Sequence, residues 1–256
     1  MVAGIDKFKE YFAEYENNYI IIGGTACDIL EENAGQIPRA TKDIDIILIV
    51  EALSPEFVKR FWEFVRAGNY STRQRGNGEN EYFRFLKPQT EGFPLQVELF
   101  ARKPDVLQIG EDTVLTPIPV DEDLSSLSAI LMNEEYYNFT MEHSYTLGAI
   151  HLANTESLVC LKAKAYLDLT QRKANGEAID EKNIRKHRSD IFRLAATLSE
   201  DRLFDLPTGI QADLNQFGKI ISDFIPDKAF FKSVGLLNIN PNEVFERLCS
   251  VFHIKK

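Results

Sequence analysis

Short apolar runs in the first part of the chain follow the pattern of buried strands. Each run is rich in β-branched or aromatic side chains and is bounded by turn-forming residues, as the strands of a packed sheet are. The runs that fit this description are Tyr19–Ile22, 41–50, Tyr82–Leu86 and 95–100. They predict a sheet whose strands come from the first half of the chain.

One amphipathic helix pattern interrupts these strands. Phe57 and Phe61 begin an apolar stripe at helical spacing. Ser54 can cap this helix, Pro55 suits its first position, and Gly68 is expected to follow its end. The first half is therefore predicted to mix strands and helices.

The second half is predicted to be mainly helical. One helix pattern covers 155–172, with Thr155 as its N-cap, and another covers 183–198 after a polar insert. A last amphipathic helix is expected to begin at Asn240. Such a series of helices would pack as a unit of its own.

The residue composition also indicates where the chain divides. It changes near 117–123, between the strand-rich and the helix-rich parts. We therefore predict an α/β (α+β) domain over residues 1–120, followed by a mainly helical domain over residues 121–256.

The acidic balance of the chain limits its partners. Its 256 residues carry a formal net charge of −10. Proteins that grip long duplex DNA usually present a basic face, because their binding depends on neutralising phosphates, so we expect no such partner. One basic stretch, 182–193, could serve a short RNA or a triphosphate, or could be a solvated helix face.

The N-terminal residues and the cysteine usage favour a cytoplasmic protein. Residues 1–14 include acidic side chains and lack the apolar core of an export signal. No apolar run is long enough to span a bilayer, so no membrane partner is expected. The three cysteines and four histidines show no metal-ligand spacing, which favours reduced thiols and argues against a zinc site.

Two carboxylates on the 41–50 strand are the strongest candidates for chemistry. Asp43 and Asp45 are two residues apart, so on a strand they point to the same face, where they repel each other. A divalent cation would offset that repulsion, and oxygen-only ligands suit Mg²⁺ or Mn²⁺. The alternative is a surface hairpin with solvated aspartates, which the surrounding isoleucines disfavour.

A pair of glycines offers a place for phosphates. Gly23 and Gly24 lie between an apolar strand and a helix that Thr25 can cap. Glycine lets the backbone approach a ligand closely, and a helix N-terminus offers unpaired N–H groups to an anion. The Thr25 hydroxyl could donate a further hydrogen bond to a phosphate. This element could hold a nucleotide while the aspartates hold the bridging metal.

Glu98 is the candidate for a third carboxylate. In the 95–100 strand, Val97 and Leu99 fall on one face and Glu98 on the other. On a neighbouring strand it could face the aspartates. There it could bind a metal, act as general base for an attacking hydroxyl, or do both. The alternative is an exposed acid on an edge strand.

At these residues the chain resembles the DNA polymerase beta-type nucleotidyltransferase superfamily. More narrowly it resembles the AbiEii-type nucleotidyltransferases, which are toxins of bacterial abortive-infection and toxin–antitoxin pairs. That family has a Gly-Gly-Thr-Ala opening, matched at 23–26, and an Arg-x-Thr-x-Asp-Ile-Asp strand, matched from Arg39 to Asp45. A later Lys-x-x-Ala pattern is matched from Lys162 to Ala165.

A further family pattern, Arg-Asp-x-x-Asp-Leu, is kept only in part. Asp190 and Leu194 fit it, whereas Arg188 is displaced by one residue and Arg193 stands where the second acid is expected. The insert 173–182 also lengthens the gap between the two helices. The chain therefore differs from the toxins of this family at their last motif.

The resemblance implies a fold, a substrate and several roles. The fold is the nucleotidyltransferase mixed sheet with flanking helices, followed by a helical domain that closes the nucleotide cleft. The substrate is an NTP, used with Mg²⁺, and Arg39 would contact the nucleotide. Lys162 would direct a cation at the triphosphate, with Lys164 as a rival, and Asp190 would position the nucleotide or form a salt bridge within the basic stretch.

The expected activity is transfer of NMP from an NTP to an acceptor hydroxyl. The acceptor could be an RNA end such as that of tRNA, a protein or a small molecule, and a cognate antitoxin is an expected partner of a toxin of this family. One alternative is a nucleotide- or partner-binding module that has lost catalysis. Another is an antibiotic nucleotidyltransferase.

Overall fold

The computed structural model describes residues 2–39, 41–49, 52, 54–73, 82–100, 130–131 and 133–255. Within them the predicted mixed α/β fold is confirmed, and helices dominate the C-terminal region. The predicted domain boundary at 117–123 lies outside the described residues.

The described strands and helices alternate first and then give way to helices, apart from one late strand pair. The strands are β1 (Tyr19–Ile22), β2 (Asp43–Leu48), β3 (Ser71–Arg73), β4 (Tyr82–Leu86), β5 (Gln96–Phe100), β6 (Ser144–Leu147) and β7 (Ile150–Ala153). The helices are α1 (Ile5–Phe12), α2 (Gly23–Asn33), α3 (Pro55–Gly68), α4 (Glu134–Glu142), α5 (Thr155–Ala174), α6 (Glu181–Ala195), α7 (Thr208–Ile221), α8 (Lys228–Ser233) and α9 (Pro241–Val251).

The described residues divide into two compact units, and both are discontinuous in sequence. The first unit takes its residues from Met1–Asp28, Arg39–Val120 and Ser144–Ala153. The second takes its residues from Ile29–Pro38, Asp121–His143 and Asn154–Lys256. The strand pair at 144–153 thus joins the first unit, although it comes from the half of the chain that was predicted to be helical.

The first unit is built on a mixed sheet. Its described strands lie in the order β3-β4-β5-β2-β1-β7-β6. The pairings β2–β5 and β1–β7 are parallel, and the others are antiparallel. β2, which carries the two candidate aspartates, therefore has a strand on each side, and β5 is one of them.

Helices α1 and α3 cover one face of this sheet with aromatic side chains. The ring of Phe8 on α1 lies 5.3 Å from that of Tyr19, and the ring of Phe61 on α3 lies 5.4 Å from that of Phe85. Phe85 is the cross-strand partner of Val97, so both point to this aromatic face. Glu98 follows Val97 and points to the opposite face.

The two ends of α3 test the capping residues predicted from the sequence. Ser54 caps it as predicted, because its hydroxyl accepts a hydrogen bond from the Phe57 N–H. Gly68, however, is the last helical residue and does not follow the helix; Asn69 takes the left-handed conformation in its place. A Cβ at Gly68 would collide with the rings of Tyr70 and Phe93, so the glycine permits close packing.

The second unit consists of helices among its described residues. Asn154 and not Thr155 caps α5, because its side-chain oxygen accepts from the Ser157 N–H. α9 begins as predicted, with Asn240 as its N-cap. None of the helices in the described part of the chain combines the length and apolarity needed to cross a membrane.

Candidate active site

Asp43 and Asp45 share one face of β2, as the alternation predicts. Both are half-buried, whereas Ile44 and Ile46 between and after them are buried. The opposite face of β2 is thus apolar, and the aspartates lie on the sheet face that does not carry the aromatic rings of α1 and α3.

Glu98 lies directly beside Asp45. The parallel register of β2 and β5 pairs Asp45 with Glu98 and Asp43 with Gln96. Glu98 is buried, and burial is the main reason why the pKa of its carboxyl is raised from 4.5 to about 9. The negative charge of Asp45 and a hydrogen bond between the two carboxyls raise the pKa further. Without a cation, Glu98 therefore holds a proton at neutral pH.

Two donors hold the Glu98 carboxyl from the other side. Nε of Arg84 on β4 donates to Oε1 of Glu98 over 2.6 Å, and Nε2 of Gln96 donates to the same oxygen over 2.6 Å. The positive charge of Arg84 lowers the pKa of Glu98, but less than burial raises it. The carboxyl thus has fixed partners on β4 and β5 and a second carboxylate on β2.

Gly23 permits Asp45 to lie against the start of α2. Its φ of +66° is in the left-handed region, and an added Cβ would collide with Oδ2 of Asp45. Gly24 is also closely packed, because an added Cβ would lie 2.9 Å from the side chain of Thr41. Both glycines therefore allow the helix backbone to approach side chains of the candidate site.

Thr25 has a different role from the predicted N-cap. The positive φ of Gly23 turns the chain from β1 directly into α2, so the helix begins at Gly23 and Thr25 lies within its first turn. The buried Thr25 hydroxyl donates to the main-chain oxygen of Asp43. Thr25 thus ties α2 to the first residue of β2, and its contact with a phosphate stays a prediction.

Asp28 organises the segment that leads into β2. Its buried carboxylate accepts hydrogen bonds from the N–H groups of Arg39, over 3.2 Å, and Thr41, over 2.5 Å. These bonds fix the chain just before the aspartates. The contact of the Arg39 side chain with a nucleotide stays a prediction.

Lys162 and Asp190 meet each other inside the second unit. Nζ of Lys162 lies 2.9 Å from Oδ2 of Asp190, and both side chains are buried. Lys164, two residues on, points elsewhere and lies 2.8 Å from Asp213 on α7. The two lysines therefore point in different directions. The ion pair of Asp190 is with Lys162 on α5, which lies outside the basic stretch 182–193. Contacts of either residue with a nucleotide stay predictions.

Arg193, which stands where the family pattern has an acid, makes buried contacts within the second unit. Its buried guanidinium pairs with Glu31 of α2 and donates to the main-chain oxygen of Ile37. The Gln36 side chain donates to the main-chain oxygen of Arg193 over 2.9 Å. An arginine here therefore holds residues 29–38 against α6.

Sequence reasoning did not find Arg84, Gln96 or Asp28. Arg84 is a cation in the otherwise apolar and aromatic β4, which is a signal that it has a buried partner. Gln96 precedes Glu98 by two residues, so both side chains share a face of β5. Asp28 lies one turn after Thr25 on an apolar helix, which is a similar signal of a buried acid.

The donor set fits a divalent cation that prefers oxygen. Within the described ranges, no group of three or more histidine, cysteine or acidic side chains is already arranged around one point. Asp45 and Glu98 nevertheless provide adjacent carboxylates, and Asp43 lies on the same face. A cation could take the place of the proton that Glu98 holds beside Asp45, and oxygen ligands suit Mg²⁺ or Mn²⁺.

The chain was also compared with protein-family models, curated proteins and solved structures, and none of the three comparisons gave a significant match.

Proposed function

We propose that the protein is a metal-dependent nucleotidyltransferase that moves NMP from an NTP to an acceptor hydroxyl. The observation that carries this proposal is the row of carboxylates on neighbouring strands, where Glu98 lies beside Asp45 and Asp45 lies against Gly23. Such a row next to a glycine-led helix start combines metal ligands with donors for phosphate.

Asp43 and Asp45 would hold Mg²⁺ or Mn²⁺. When bound, the cation would neutralise charge on the triphosphate and on the pyrophosphate that leaves. Gly23 and Gly24 begin α2 and carry no side chain, and the first N–H groups of this helix would donate to a phosphate oxygen. The chain would thus orient the nucleotide before the acceptor arrives.

Glu98 would act on the acceptor hydroxyl as general base. The acceptor oxygen would form a bond to the α-phosphorus, the bond from that phosphorus to pyrophosphate would break, and the hydroxyl proton would pass to Glu98. A base works best when its pKa lies near the working pH. Burial raises the pKa of Glu98 to about 9 without a cation, and a cation bound beside Asp45 would lower that pKa and leave Glu98 ionised to accept the proton.

The resemblance to the AbiEii-type toxins supports further assignments. Lys162 would direct its charge at the leaving pyrophosphate. Asp190 would position the nucleotide, and Arg39 would contact it. The acceptor would be an RNA end such as that of tRNA, a protein or a small molecule. A toxin role with a cognate antitoxin, in the cytoplasm, belongs to the same proposal.

The test is incubation of the protein with labelled NTPs, Mg²⁺ or Mn²⁺, and either total RNA or lysate protein. We expect metal-dependent label on one acceptor class, and loss of that label with Asp43→Ala or Asp45→Ala. Lys219→Ala, a change on α7 in the second unit, is the matched control and should transfer like the wild type. Equal transfer by the aspartate variants would overturn the metal-site assignment.

A nucleotide- or partner-binding module is the second candidate. The observation that favours it is the buried contact of Arg84 with Glu98, because the positive charge of Arg84 relieves the repulsion between the neighbouring carboxylates without a metal. Calorimetry with NTPs and Mn²⁺ distinguishes the two candidates. Metal-dependent binding with no label on RNA, protein or small-molecule acceptors, including aminoglycosides, would favour the module.

A further inference from the structure

We propose that Arg84 is a positioning residue that fixes Glu98 through one carboxyl oxygen. The other oxygen is then the one that contacts the cation or the acceptor hydroxyl. This inference rests on the proposed function, since it concerns the same carboxylate row. Arg84 itself would touch neither the nucleotide nor the acceptor.

The sheet register places Glu98 between Arg84 and Asp45. Arg84 on β4 is the cross-strand partner of Glu98 on β5, and Glu98 is in turn the partner of Asp45 on β2. The three residues therefore form one row across neighbouring strands. Since paired residues point to the same face of a sheet, their side chains meet in line.

The contact between Arg84 and Glu98 is buried. The two side chains are 10% and 7% exposed, so solvent screens their interaction little. The guanidinium is planar and its N–H groups have fixed directions, which makes it suited to hold a carboxyl in one orientation. An exposed pair would not hold the Glu98 side chain in this way.

One oxygen of Glu98 receives both donated hydrogen bonds. Oε1 accepts from Arg84 over 2.6 Å and from Gln96 over 2.6 Å. A carboxyl oxygen has two lone pairs, so these two donors occupy Oε1 fully. The contact with Asp45, a cation or the acceptor hydroxyl therefore falls to Oε2.

A double-mutant cycle tests whether Arg84 acts through Glu98. We expect Arg84→Gln to slow single-turnover transfer by roughly tenfold to a hundredfold while NTP affinity changes less than about twofold. Arg84→Lys, which keeps a donor and the charge, should restore part of the rate. In a Glu98→Gln background, Arg84→Gln should change the remaining rate by less than about twofold.

A control variant tests whether loss of an arginine from another ion pair of the first unit also lowers the transfer rate. Arg60 pairs with Glu63 over 3.1 Å on α3, which covers the other face of the sheet. Arg60→Gln should leave the transfer rate unchanged. If Arg84→Gln also leaves the rate unchanged, or lowers it equally with and without Glu98, the positioning role is wrong.

A crystal structure of the protein soaked in Mn²⁺ gives a readout that does not depend on activity. We expect the anomalous signal of Mn²⁺ beside Oε2 of Glu98, with Arg84 still donating to Oε1. Mn²⁺ on Oε1, with Arg84 displaced, would contradict the proposal. If the wild type binds Mn²⁺ in this way but transfers no nucleotide, the proposed function fails and the positioning role of Arg84 stands.

Discussion

Lys162 and Asp190 form a buried ion pair between α5 and α6, with 2.9 Å between Nζ and Oδ2. The lysine that the resemblance assigns to the triphosphate is therefore also the ion-pair partner of a buried acid in the second unit. A buried carboxylate that loses its cation is costly, because nothing replaces the lost water or the lost charge.

The first prediction follows from that pair. Lys162→Ala should lower the free energy of unfolding by about 3–5 kcal/mol, because Asp190 stays buried. Lys164→Ala should cost only about 1 kcal/mol or less, since Lys164 is 35% exposed in its pair with Asp213. Urea denaturation of both variants measures the difference, and equal losses would contradict the buried pair.

Nucleotide titration of the same variants tests which lysine contacts the nucleotide. It is done without urea, at a temperature where both variants are folded. We expect Lys162→Ala to weaken NTP binding more than Lys164→Ala does. A larger loss for Lys164→Ala would reverse the assignment of the two lysines.

The second prediction concerns Gly23. Gly23→Ala should destabilise the protein by more than the roughly 1–2 kcal/mol that a left-handed alanine costs, because the methyl group also collides with Asp45. Gly148→Ala is the matched control, since its φ of +62° is similar and an added Cβ meets nothing within 4 Å. Thermal unfolding of the two variants isolates the collision. If Gly23→Ala costs no more than Gly148→Ala, the close approach of Asp45 is not as described.

The third prediction is a dependence of stability on pH. The folded-state pKa of Glu98 is raised above 4.5, so between about 4.5 and about 9 the folded state binds more protons than the unfolded state. The free energy of unfolding of the metal-free protein should therefore fall as pH rises through this window. Glu98→Gln should lack that part of the slope, which urea titrations in EDTA at several pH values measure. Parallel curves for the two proteins would show that Glu98 keeps an ordinary pKa.

The fourth prediction is a split between binding and chemistry at Glu98. Glu98→Gln keeps the shape of the side chain and removes its basicity. NTP affinity should change little, while single-turnover transfer should fall on the order of a hundredfold or more, as for loss of a general base. An unchanged rate would mean that Glu98 takes no part in the transfer.

The local pattern of the sequence predicts β1, β2, β4 and the start of α9 well. These elements are recognisable because apolar runs, alternation and caps are properties of neighbouring residues. The alternation also predicts that Asp43 and Asp45 share a face. The side-by-side register of Asp45 and Glu98 could not be predicted, because it depends on which strands pair in the folded sheet.

Strand β6, which sequence reasoning missed, has a weak local signal. Strand β6 consists of Ser144–Leu147, whose side chains are exposed or half-buried, so it lacks an apolar run.

The hydrogen bond from Thr25 to Asp43 joins residues on two elements, and so does the hydrogen bond from Arg84 to Glu98. Capping rules therefore gave Thr25 the wrong local role, since they consider only the residues along one helix.

The place of β7 beside β1 has a consequence for any shortened form of this protein. β7 pairs with β1 in parallel, and all four residues of β1 are buried. A fragment that stops at residue 120 would lack β7, and the apolar β1 would become the edge of an incomplete sheet. Open apolar edges recruit other chains. Expression of residues 1–120 alone should therefore give aggregates, whereas a fusion that restores 144–153 through a short linker gives the edge its natural cover.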